Sequence, residues 1–386
     1  MKEIKLVNDT IDKEDLSKLI GWLETNPRLT KGELTPKFEE AWSKWLGKKY
    51  SVFVNSGSSA NLAMVYSLIQ SGRLKNNKII VPTVSWVTTV TPAIHLGLEP
   101  ILCECDKDTL GVDIEHLKVL IKEHNPAALM IVHVLAFPCK MDEITKLCNE
   151  NDIILLEDSC ESIGSKYNGI KTGNFGLMST FSFYFGHHMS TIEGGMICTD
   201  DKEMYRLLQS IRAHGWDRDF DKEYQSKIRE ENNITDFRAL YSFYYPGFNL
   251  RSTDLQAFIG INQIVKIDGF SVLREENYNL YDSLIINNYW KVKSFDNCYY
   301  SNFAYPIITP HINELVEELL LNKVECRPLV CGSIGLQPFW KKLYGEQKFD
   351  FADKVHNYGL YLPNNQDITK DEIIFISNIV NKYTKV

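Results

Sequence analysis

The stretch STFSFYFGHHMSTIEGGM, residues 179–196, contains the pattern on which the fold prediction rests. An apolar segment leads into a turn with two adjacent histidines, His187 and His188, and a second apolar segment opens with a Gly-Gly pair. The alternation predicts two β-strands joined by a turn. Between residues 172 and 201 the chain contains no lysine. A solvent-exposed turn is one interpretation of the histidine pair, and a site of proton exchange is the other.

Short apolar segments and amphipathic segments alternate on both sides of this stretch. The predicted strands cover residues 50–56, 78–84, 99–105, 127–136, 153–159, 179–185 and 195–200. The predicted helices between them cover residues 59–70, 86–97, 113–124 and 141–151. Several strands are continuous runs of apolar residues, as expected when helices cover both faces of a sheet. The pattern predicts an α/β fold with a mostly parallel sheet.

The two ends of the chain differ from this central region. Residues 12–24 and 35–47 have the periodicity of amphipathic helices. A helix is predicted over 201–215, a polar and aromatic stretch with little periodicity follows, and a long helix is predicted over 254–283. The remainder has the pattern of a small α+β unit. The sequence therefore predicts a large domain, residues 1–265, and a small C-terminal domain, residues 266–386.

A predicted strand end at VNSGSSANL, residues 54–62, is the first candidate binding element. Gly57 permits a tight turn, and Ser58 lies in the first turn of the helix that follows. The N-terminus of a helix offers backbone N–H groups and the positive end of the helix dipole, which bind phosphate. A capped helix without a ligand is the alternative. The pattern G-x-G-x-x-G does not occur in the chain, so a dinucleotide cofactor is not indicated.

A second strand end carries acidic residues in ILLEDSCES, residues 154–162. Glu157 and Asp158 close an apolar strand, and Glu161 follows. A buried carboxylate needs a donor or a cation as partner. A helix cap, a protonated heterocycle and a metal ion would each satisfy it, and the absence of a nearby Asp/His cluster makes a metal ion the weakest of the three.

These strand ends occur in the order in which a fold-type I pyridoxal phosphate enzyme contacts its cofactor. Residues 181–195 resemble the motif F-S-F-x-x-x-K-N-x-x-x-x-E-G-G of the DegT/DnrJ/EryC1/StrS sugar aminotransferase family. HVLAFPCKMDEI, residues 133–144, and FNLRSTDLQAFIGINQ, residues 248–263, resemble two further family motifs. The resemblance covers essentially the whole chain. It implies the aspartate aminotransferase-like fold, a homodimer, and pyridoxal 5'-phosphate or pyridoxamine 5'-phosphate as cofactor.

The resemblance also implies roles for particular residues. Asp158 would pair with the pyridinium nitrogen of the cofactor, and Glu161 stands where many relatives have a glutamine that contacts the cofactor. Arginine and histidine side chains that could contact sugar, diphosphate or glutamate are His214, Arg218 and Arg327. The other implied cofactor contacts are Gly57, Ser58 and Ser182 at the phosphate, Trp86 stacked on the ring, and Asn249 from the neighbouring subunit.

The chain departs from the family pattern at His187, which replaces the lysine that links the cofactor covalently. Imidazole cannot make that link, but it exchanges protons near neutral pH. The resemblance therefore implies the sugar 3-dehydratase branch, with His187 as the catalytic acid–base group and His188 as a packing residue. The expected reaction removes the C3 hydroxyl of a GDP-linked 4-keto-6-deoxy sugar, of mannose or 6-deoxyheptose type. The product is the 4-keto-3,6-dideoxy sugar, and L-glutamate regenerates the amine.

Iron–sulfur chemistry is not expected. A related branch that acts on CDP-linked sugars binds a [2Fe-2S] cluster through closely spaced cysteines. The C-x-C-x7-C part of that ligand set is missing, because Asp113 lies eight residues after Cys105. The nine cysteines are scattered in mostly apolar segments without a C-x-x-C pair, which indicates reduced, buried thiols and no metal site.

Two other functions remain open at this stage. An aminotransferase would need Lys171 or Lys202 to reach the cofactor, although neither has the motif spacing. A non-catalytic protein could bind the cofactor or a nucleotide sugar, although such a protein has no need for the carboxylate Asp158 beside the ring.

Composition and charge limit the class of partner. Hydrophobic residues make up 44% of the 386 residues and charged residues 24%, which is ordinary for a globular protein. A net charge of -8 argues against a nucleic-acid partner. The first residues lack the apolar core of a signal peptide, and no apolar run is long enough to cross a bilayer. We therefore expect a cytoplasmic protein without a membrane partner.

Overall fold

The structure is a computed structural model and describes residues 3–385. Its strands are β1 (Tyr50–Val54), β2 (Lys78–Pro82), β3 (Glu99–Cys103), β4 (Ala128–Val132), β5 (Ile154–Asp158), β6 (Lys166–Tyr167), β7 (Ile170–Lys171), β8 (Met178–Ser182), β9 (Gly195–Thr199), β10 (Cys298–Tyr299), β11 (Tyr305–Ile308), β12 (Arg327–Pro328) and β13 (Gly359–Leu362). The seven strands predicted from the sequence are confirmed as β1 to β5, β8 and β9.

The helices surround these strands. They are α1 (Lys13–Glu24), α2 (Leu34–Leu46), α3 (Gly57–Gln70), α4 (Val87–His95), α5 (Ile114–His124), α6 (Met141–Glu150), α7 (Lys202–Arg212), α8 (Lys222–Glu231), α9 (Asp236–Ala239), α10 (Asp254–Ile264), α11 (Ile267–Leu284), α12 (Ile312–Leu321), α13 (Pro338–Tyr344), α14 (Ala352–Tyr358) and α15 (Lys370–Thr384). Two short 3₁₀ segments, Val134–Ala136 and Ile334–Leu336, complete the described elements.

The large sheet has seven strands in the order β1-β9-β8-β5-β4-β2-β3. Strand β9 is antiparallel to both of its neighbours, and the other neighbouring pairs are parallel. The carboxyl ends of β1, β2, β4, β5 and β8 therefore lie at one edge, together with the amino end of β9. This arrangement brings the predicted site residues at the strand ends to the same side of the sheet.

Helices cover both faces of the sheet, as the apolar strands require. All five residues of β4, β8 and β9 are buried. On one face the sheet packs against α3 and α7 through residues such as Met64 and Leu208, and on the other against α5 and α6 through residues such as Leu117 and Ile144. An aromatic cluster of Phe38, Trp42, Phe53, Phe181 and Phe183 joins α2 to β1 and β8.

The region after residue 215 departs from the prediction. The stretch that lacked periodicity contains α8 and α9, and the single helix predicted over 254–283 is two helices, α10 and α11, separated by Val265 and Lys266. The predicted domain boundary falls at this separation. The C-terminal three-stranded sheet, β11-β13-β12, shares one core with residues from before the predicted boundary, such as Leu110 and Phe137.

Helix length and apolarity together rule out a bilayer-spanning helix among residues 3–385. Six of the nine cysteine side chains are buried in the core, and the other three, Cys160, Cys298 and Cys331, are half-buried.

Candidate active site

A cavity of about 950 Å³ opens at the carboxyl edge of the large sheet. Its floor contains the strand ends at Ser56, Asp158 and Ser182. The 3₁₀ segment after β4, the histidine turn between β8 and β9, and the C-terminal sheet form further walls. Residues 3, 5, 6 and 7 of the N-terminal segment also line it, because Ile4 forms a parallel bridge with Val324. That segment carries no motif and was not predicted to contribute.

The predicted phosphate cradle is the turn between β1 and α3. Ser56 caps α3 by accepting a hydrogen bond from the Ser59 backbone N–H at 3.1 Å. A Cβ atom at position 57 would lie 2.6 Å from the Cβ of Ser182. At position 195 it would lie 2.3 Å from the Ser56 carbonyl oxygen. Glycines are required because β8, β9 and the helix start meet here without room for side chains.

Asp158 ends β5 and is 3% exposed at the floor of the cavity. Its Oδ2 accepts hydrogen bonds from Asn61 Nδ2 and Thr89 Oγ1, both at 2.8 Å. Its Oδ1 accepts one from the Cys160 backbone N–H at 3.1 Å. Thr180 Oγ1 donates to Asn61 Oδ1 at 2.6 Å and so fixes the orientation of the amide. No cation is among these partners, so the carboxylate retains capacity for a positively charged ligand group.

The neighbouring acid, Glu157, has a structural role and faces away from the cavity, as the alternation of a strand requires. It is fully buried and accepts hydrogen bonds from the backbone N–H groups of Gly173, Phe175 and Gly176 at 2.6–2.8 Å. His133 Nε2 lies 3.2 Å from its Oε2. Burial opposes ionisation, but these donors hold the pKa of Glu157 below its ordinary value.

The two histidines of the turn occupy different environments. His187 lines the cavity, and its ring centroid lies 5.3 Å from that of Phe303. No hydrogen-bond partner of its Nδ1 is found among the described residues. His188 is 1% exposed, and its Nε2 donates to the Ser301 carbonyl at 2.7 Å. His187 therefore faces the cavity, and His188 ties the turn to the segment that contains Ser301.

A buried arginine influences both histidines. Arg274 on α11 is 3% exposed, and its Nη1 donates to backbone carbonyls, including that of Phe303 at 3.0 Å. Desolvation, with the charge of Arg274, lowers the pKa of His187 to about 4 and places that of His188 well below its ordinary value. Both imidazoles are neutral at pH 7 and can accept protons.

The depressed pKa values predict an acid-sensitive fold. Between pH 6.5 and about 4 the unfolded chain binds protons at these histidines that the native state does not bind. Stability should therefore decrease as pH falls through this window, by about 1 kcal/mol per pH unit for each histidine. Urea unfolding of the cofactor-free protein at a series of pH values measures the slope. His188→Asn should reduce the slope, and an unchanged slope would contradict the assignment.

Glu161 lines the same cavity, three residues after Asp158. Its Oε2 accepts a hydrogen bond from the Leu135 backbone N–H at 2.7 Å. Burial, with the nearby charge of Asp158 adding to it, raises the pKa of Glu161 to about 7. This carboxyl group therefore holds a proton for part of the time at neutral pH.

The other predicted site residues divide into two groups. Ser58, Trp86 and Arg327 line the cavity with those already described, and the Trp86 ring is 54% exposed toward it. The remaining three, Asn249, His214 and Arg218, lie outside the cavity of this chain. His214 and Arg218 contact the Trp216 ring, and Asn249 forms an isolated antiparallel bridge with Ala213.

Lys171 and Lys202, the two lysines that an aminotransferase would need at the cofactor, do not line the cavity. The Lys171 Nζ group donates a hydrogen bond to the Trp45 carbonyl and lies 4.0 Å from the centroid of the Trp45 ring. Lys202 begins α7 and lies 3.9 Å from Asp221. Among the described residues Lys5 is the one lysine that lines the cavity, and it belongs to the N-terminal segment.

These residues fit pyridoxal or pyridoxamine phosphate. The glycine-lined start of α3 leaves space and N–H donors for a phosphate, and the carboxylate of Asp158 has room for a protonated ring nitrogen. Asn61 and Thr89, which orient this carboxylate, were not assigned that role from the sequence. Their positions after other strands carry no signal until the strand order is known.

A methyl group at position 195 should disrupt the phosphate cradle. Gly195→Ala would place Cβ 2.3 Å from the Ser56 oxygen and 2.7 Å from the Gly57 nitrogen. We expect at least a tenfold weaker affinity for pyridoxamine phosphate, measured by calorimetric titration of the cofactor-free protein. Gly269→Ala on α11, where nothing lies within 4 Å of the new methyl group, is the matched control and should bind normally. Equal affinities for the two variants would contradict the assigned cradle.

The sheet order and the site together define a protein of the aminotransferase fold of pyridoxal phosphate-dependent enzymes. The model of the DegT/DnrJ/EryC1/StrS aminotransferase family matches residues 9–381, and the chain belongs to this family.

Relatives that are named as 3-dehydratases are similar to this chain over nearly its full length. A GDP-4-keto-6-deoxy-D-mannose 3-dehydratase of Yersinia pseudotuberculosis is 34% identical over 398 residues, which cover 99% of each chain. A solved GDP-4-keto-6-deoxymannose-3-dehydratase with a trapped PLP-glutamate geminal diamine has a TM-score of 0.89 and 33% identity, covering 98% of this chain and 100% of that one. A histidine-to-asparagine variant of such an enzyme, with bound GDP-perosamine, has a TM-score of 0.89 and 34% identity over the same shares.

Proposed function

We propose that this chain is a pyridoxal phosphate-dependent 3-dehydratase. It removes the C3 hydroxyl of a GDP-linked 4-keto-6-deoxy sugar and yields the 4-keto-3,6-dideoxy sugar nucleotide. The observation that carries the proposal is the neutral His187 on the cavity wall at the family's lysine position. The full-length similarity to GDP-4-keto-6-deoxy-D-mannose 3-dehydratases supports the substrate class.

The cofactor supplies chemistry that amino acids lack: bound as pyridoxamine phosphate, it offers an amine for the sugar ketone and a ring that withdraws electrons. Asp158 maintains that property by holding its negative charge beside the ring nitrogen. Asn61 and Thr89 keep the carboxylate oriented through their two 2.8 Å hydrogen bonds. Burial of all three excludes water that would weaken the ion pair.

His187 moves the proton. Its imidazole is neutral at pH 7, so it can accept a proton as soon as the reacting carbon is in reach. The Phe303 ring beside it restricts its movement and keeps bulk water away. Once protonated, the ring is a strong acid in this desolvated position, so it gives the proton up readily.

Cofactor binding must rest on non-covalent contacts, because His187 cannot form the covalent link. Gly57, Ser58 and Ser182 surround the phosphate position, and Trp86 has an exposed ring face for stacking. The cofactor can then leave as well as bind, and L-glutamate restores its amine. The glutamate adduct seen in a solved relative supports this donor.

Arg327 and Lys5 are the positive side chains that this chain places on the cavity wall outside the cofactor position. The Arg327 side chain is exposed, and its nearest carboxylate, Glu325, is 3.9 Å away. A diphosphate or a glutamate carboxylate is the kind of anion that such a guanidinium binds. A sugar nucleotide therefore fits the charges of the wall.

The proposal includes a homodimer in which Asn249 reaches the phosphate of the partner's site. Asn249 is exposed and lies outside the cavity of its own chain. Subunit mixing tests this directly: His187→Asn and Asn249→Ala proteins, each nearly inactive, should together form heterodimers with one intact site and recover up to about a quarter of the activity. Action of Asn249 within its own chain predicts no recovery.

A cytoplasmic location is also part of the proposal. Cell fractionation with an antibody to the chain is the measurement. Recovery in the membrane or extracellular fraction would contradict it.

The decisive experiment supplies the purified protein with the GDP-linked 4-keto-6-deoxy sugar, pyridoxal phosphate and L-glutamate. The dehydratase predicts a nucleotide sugar that has lost one oxygen at C3, with release of ammonia. A 4-amino sugar would instead show an aminotransferase, and binding without turnover would show a non-catalytic protein. Mass spectrometry of the product distinguishes the three.

A further inference from the structure

The segment of residues 3–7 runs along one side of the cavity. Residues 3, 5, 6 and 7 line the cavity, whereas Ile4 between them is 4% exposed and packs into the core under the C-terminal sheet. Successive side chains of an extended backbone point to opposite sides. Because Ile4 points into the core, the side chain of Lys5 is directed to the cavity and brings a positive charge to its wall.

Hydrogen bonds to the edge of the C-terminal sheet hold the backbone of this segment. The Ile4 N–H donates to the Lys323 carbonyl at 2.9 Å, and the Ile4 carbonyl accepts from the Glu325 N–H at 3.0 Å. The Leu6 N–H donates to Glu325 Oε2 at 2.8 Å. The segment on both sides of Lys5 is therefore fixed to the same strand region that carries Arg327.

Two further contacts fix the segment at Lys5 and at its end. Asn365 Nδ2 donates to the Lys5 carbonyl at 2.9 Å. A Cβ atom at position 186 would lie 3.9 Å from Val7 Cγ2, so the end of the segment reaches the turn that carries His187. Residues 3–7 thus connect the C-terminal sheet to the histidine turn and form a built wall of the site.

The ammonium group of Lys5 is not neutralised by this wall. Within residues 3–385, neither an ion pair nor a hydrogen bond of Lys5 Nζ is found. The carboxylate of Glu325 is already in use, because its Oε2 accepts from the Leu6 N–H and its Oε1 lies 3.9 Å from Arg327 Nη2. Lys5 therefore keeps its capacity to bind an anion from the cavity.

The other charges of the wall make this capacity necessary. Lys5 and Arg327 are the basic side chains among the described residues that line the cavity, and the carboxylates that line it are Glu3, Asp158, Glu161, Glu193 and Glu325. The cofactor phosphate has the N-terminus of α3, but the other reactants of the proposed function are also anions. Carboxylates repel such reactants unless a cation lies where they bind.

We propose that Lys5 is a ligand-binding residue whose ammonium group binds an anionic oxygen group of a reactant, and that residues 3–7 hold it in place. This inference rests on the proposed function, which supplies two sources of such a group: the diphosphate of the sugar nucleotide and a carboxylate of L-glutamate. An ammonium group on a flexible stem suits either, because it binds as a point charge without a fixed geometry.

Binding of GDP tests the diphosphate. Lys5→Gln removes the charge from a side chain on the protein surface, so the fold should be unaffected. Calorimetric titration of the pyridoxamine phosphate-loaded protein with GDP should show about tenfold weaker affinity, the usual loss for one hydrogen bond to a charged group. The decrease of affinity with added salt should also be smaller than in the wild type.

Two variants control for effects other than charge at this position. Lys5→Arg keeps the positive charge and should bind GDP within a few-fold of the wild type. Lys13→Gln removes the charge of an exposed lysine at the start of α1, outside the cavity, and should bind GDP normally.

The reaction with L-glutamate tests the carboxylate. Conversion of the pyridoxal phosphate-loaded protein to the amine form is followed by absorbance at increasing glutamate concentration. If Lys5 binds a glutamate carboxylate, Lys5→Gln should need about tenfold more glutamate for the half-maximal rate, with the maximal rate within a few-fold of the wild type. Weaker binding of GDP alone assigns the diphosphate, a change with glutamate alone assigns the carboxylate, and both changes assign one subsite that the two reactants occupy in turn.

Lys5→Gln that binds GDP and uses L-glutamate as the wild type does would overturn the proposal. Lys5→Arg as impaired as Lys5→Gln would overturn it too, because the charge would then not be the property that matters. A wild type that binds GDP and reacts with L-glutamate but releases no dehydrated sugar would instead overturn the proposed function and leave the role of Lys5 intact.

Discussion

His187→Asn is expected to abolish dehydration while leaving the cofactor bound. Asparagine is close in size and polar, so the turn between β8 and β9 should keep its backbone hydrogen bond from the His187 N–H to the Tyr184 carbonyl, at 2.9 Å. The amide cannot accept a proton near neutral pH, and general acid–base catalysis by a placed side chain contributes about 10²–10⁴-fold. Protein loaded with pyridoxamine phosphate and mixed with the sugar nucleotide in a single turnover should therefore be slower by at least about 100-fold.

The adjacent histidine provides the matched control. His188→Asn makes the same substitution one residue later, where the side chain is buried and donates to Ser301 rather than facing the cavity. We expect a lower melting temperature, because a buried hydrogen bond is lost, with dehydration largely retained at low temperature. A reversed result, with His187→Asn active and His188→Asn inactive, would show that His188 rather than His187 performs the chemistry.

The fold was predictable where the sequence is apolar. Strands such as β4 and β5 are short runs of mostly aliphatic residues, so their existence follows from composition. Helix α8 was missed because it is strongly polar, and Gln225 and Ile228 are its buried residues. A helix that packs through so few residues has no apolar periodicity to detect.

The break between α10 and α11 was missed for a different reason. Val265 and Lys266, which separate the two helices, have backbone angles close to helical, with φ of -70° and -95°. Neither glycine nor proline marks the position, so the chain changes direction without a local sequence signal. Helix α10 packs against α2 and helix α11 against α15, so tertiary packing decides where the first helix ends.

For the site, linear motifs located the groups that do chemistry but not the groups that support them. His187 and Asp158 could be assigned because each stands at a fixed spacing within a motif. Asn61, Thr89 and Arg274 act through contacts between residues far apart in the sequence, from 29 positions for Arg274 and Phe303 to 97 for Asn61 and Asp158. Such partners become visible only when the strand order places their elements side by side.

Asp158→Asn is expected to reduce the rates of both dehydration and amine regeneration by at least about 100-fold, because both use the same electron-withdrawing ring. The substitution is nearly isosteric, so the hydrogen bonds from Asn61 and Thr89 can persist on the remaining oxygen. The negative charge beside the ring nitrogen is lost, and removal of a preorganised electrostatic partner typically costs 10²–10³-fold in rate. Single-turnover rates with the sugar nucleotide and with L-glutamate, each measured separately, test both halves of the cycle.

Thr89→Val separates the charge of Asp158 from its orientation. Valine removes the 2.8 Å hydrogen bond to Oδ2 while Asn61 and the Cys160 N–H still hold the carboxylate. Because the charge remains, we expect both rates to fall by less than about tenfold, well short of the effect of Asp158→Asn. If Asp158→Asn slowed dehydration and left the glutamate reaction unchanged, the carboxylate would be acting on the sugar rather than on the ring. Equal losses in the two reactions assign it to the ring, since the ring is the one participant that both reactions share.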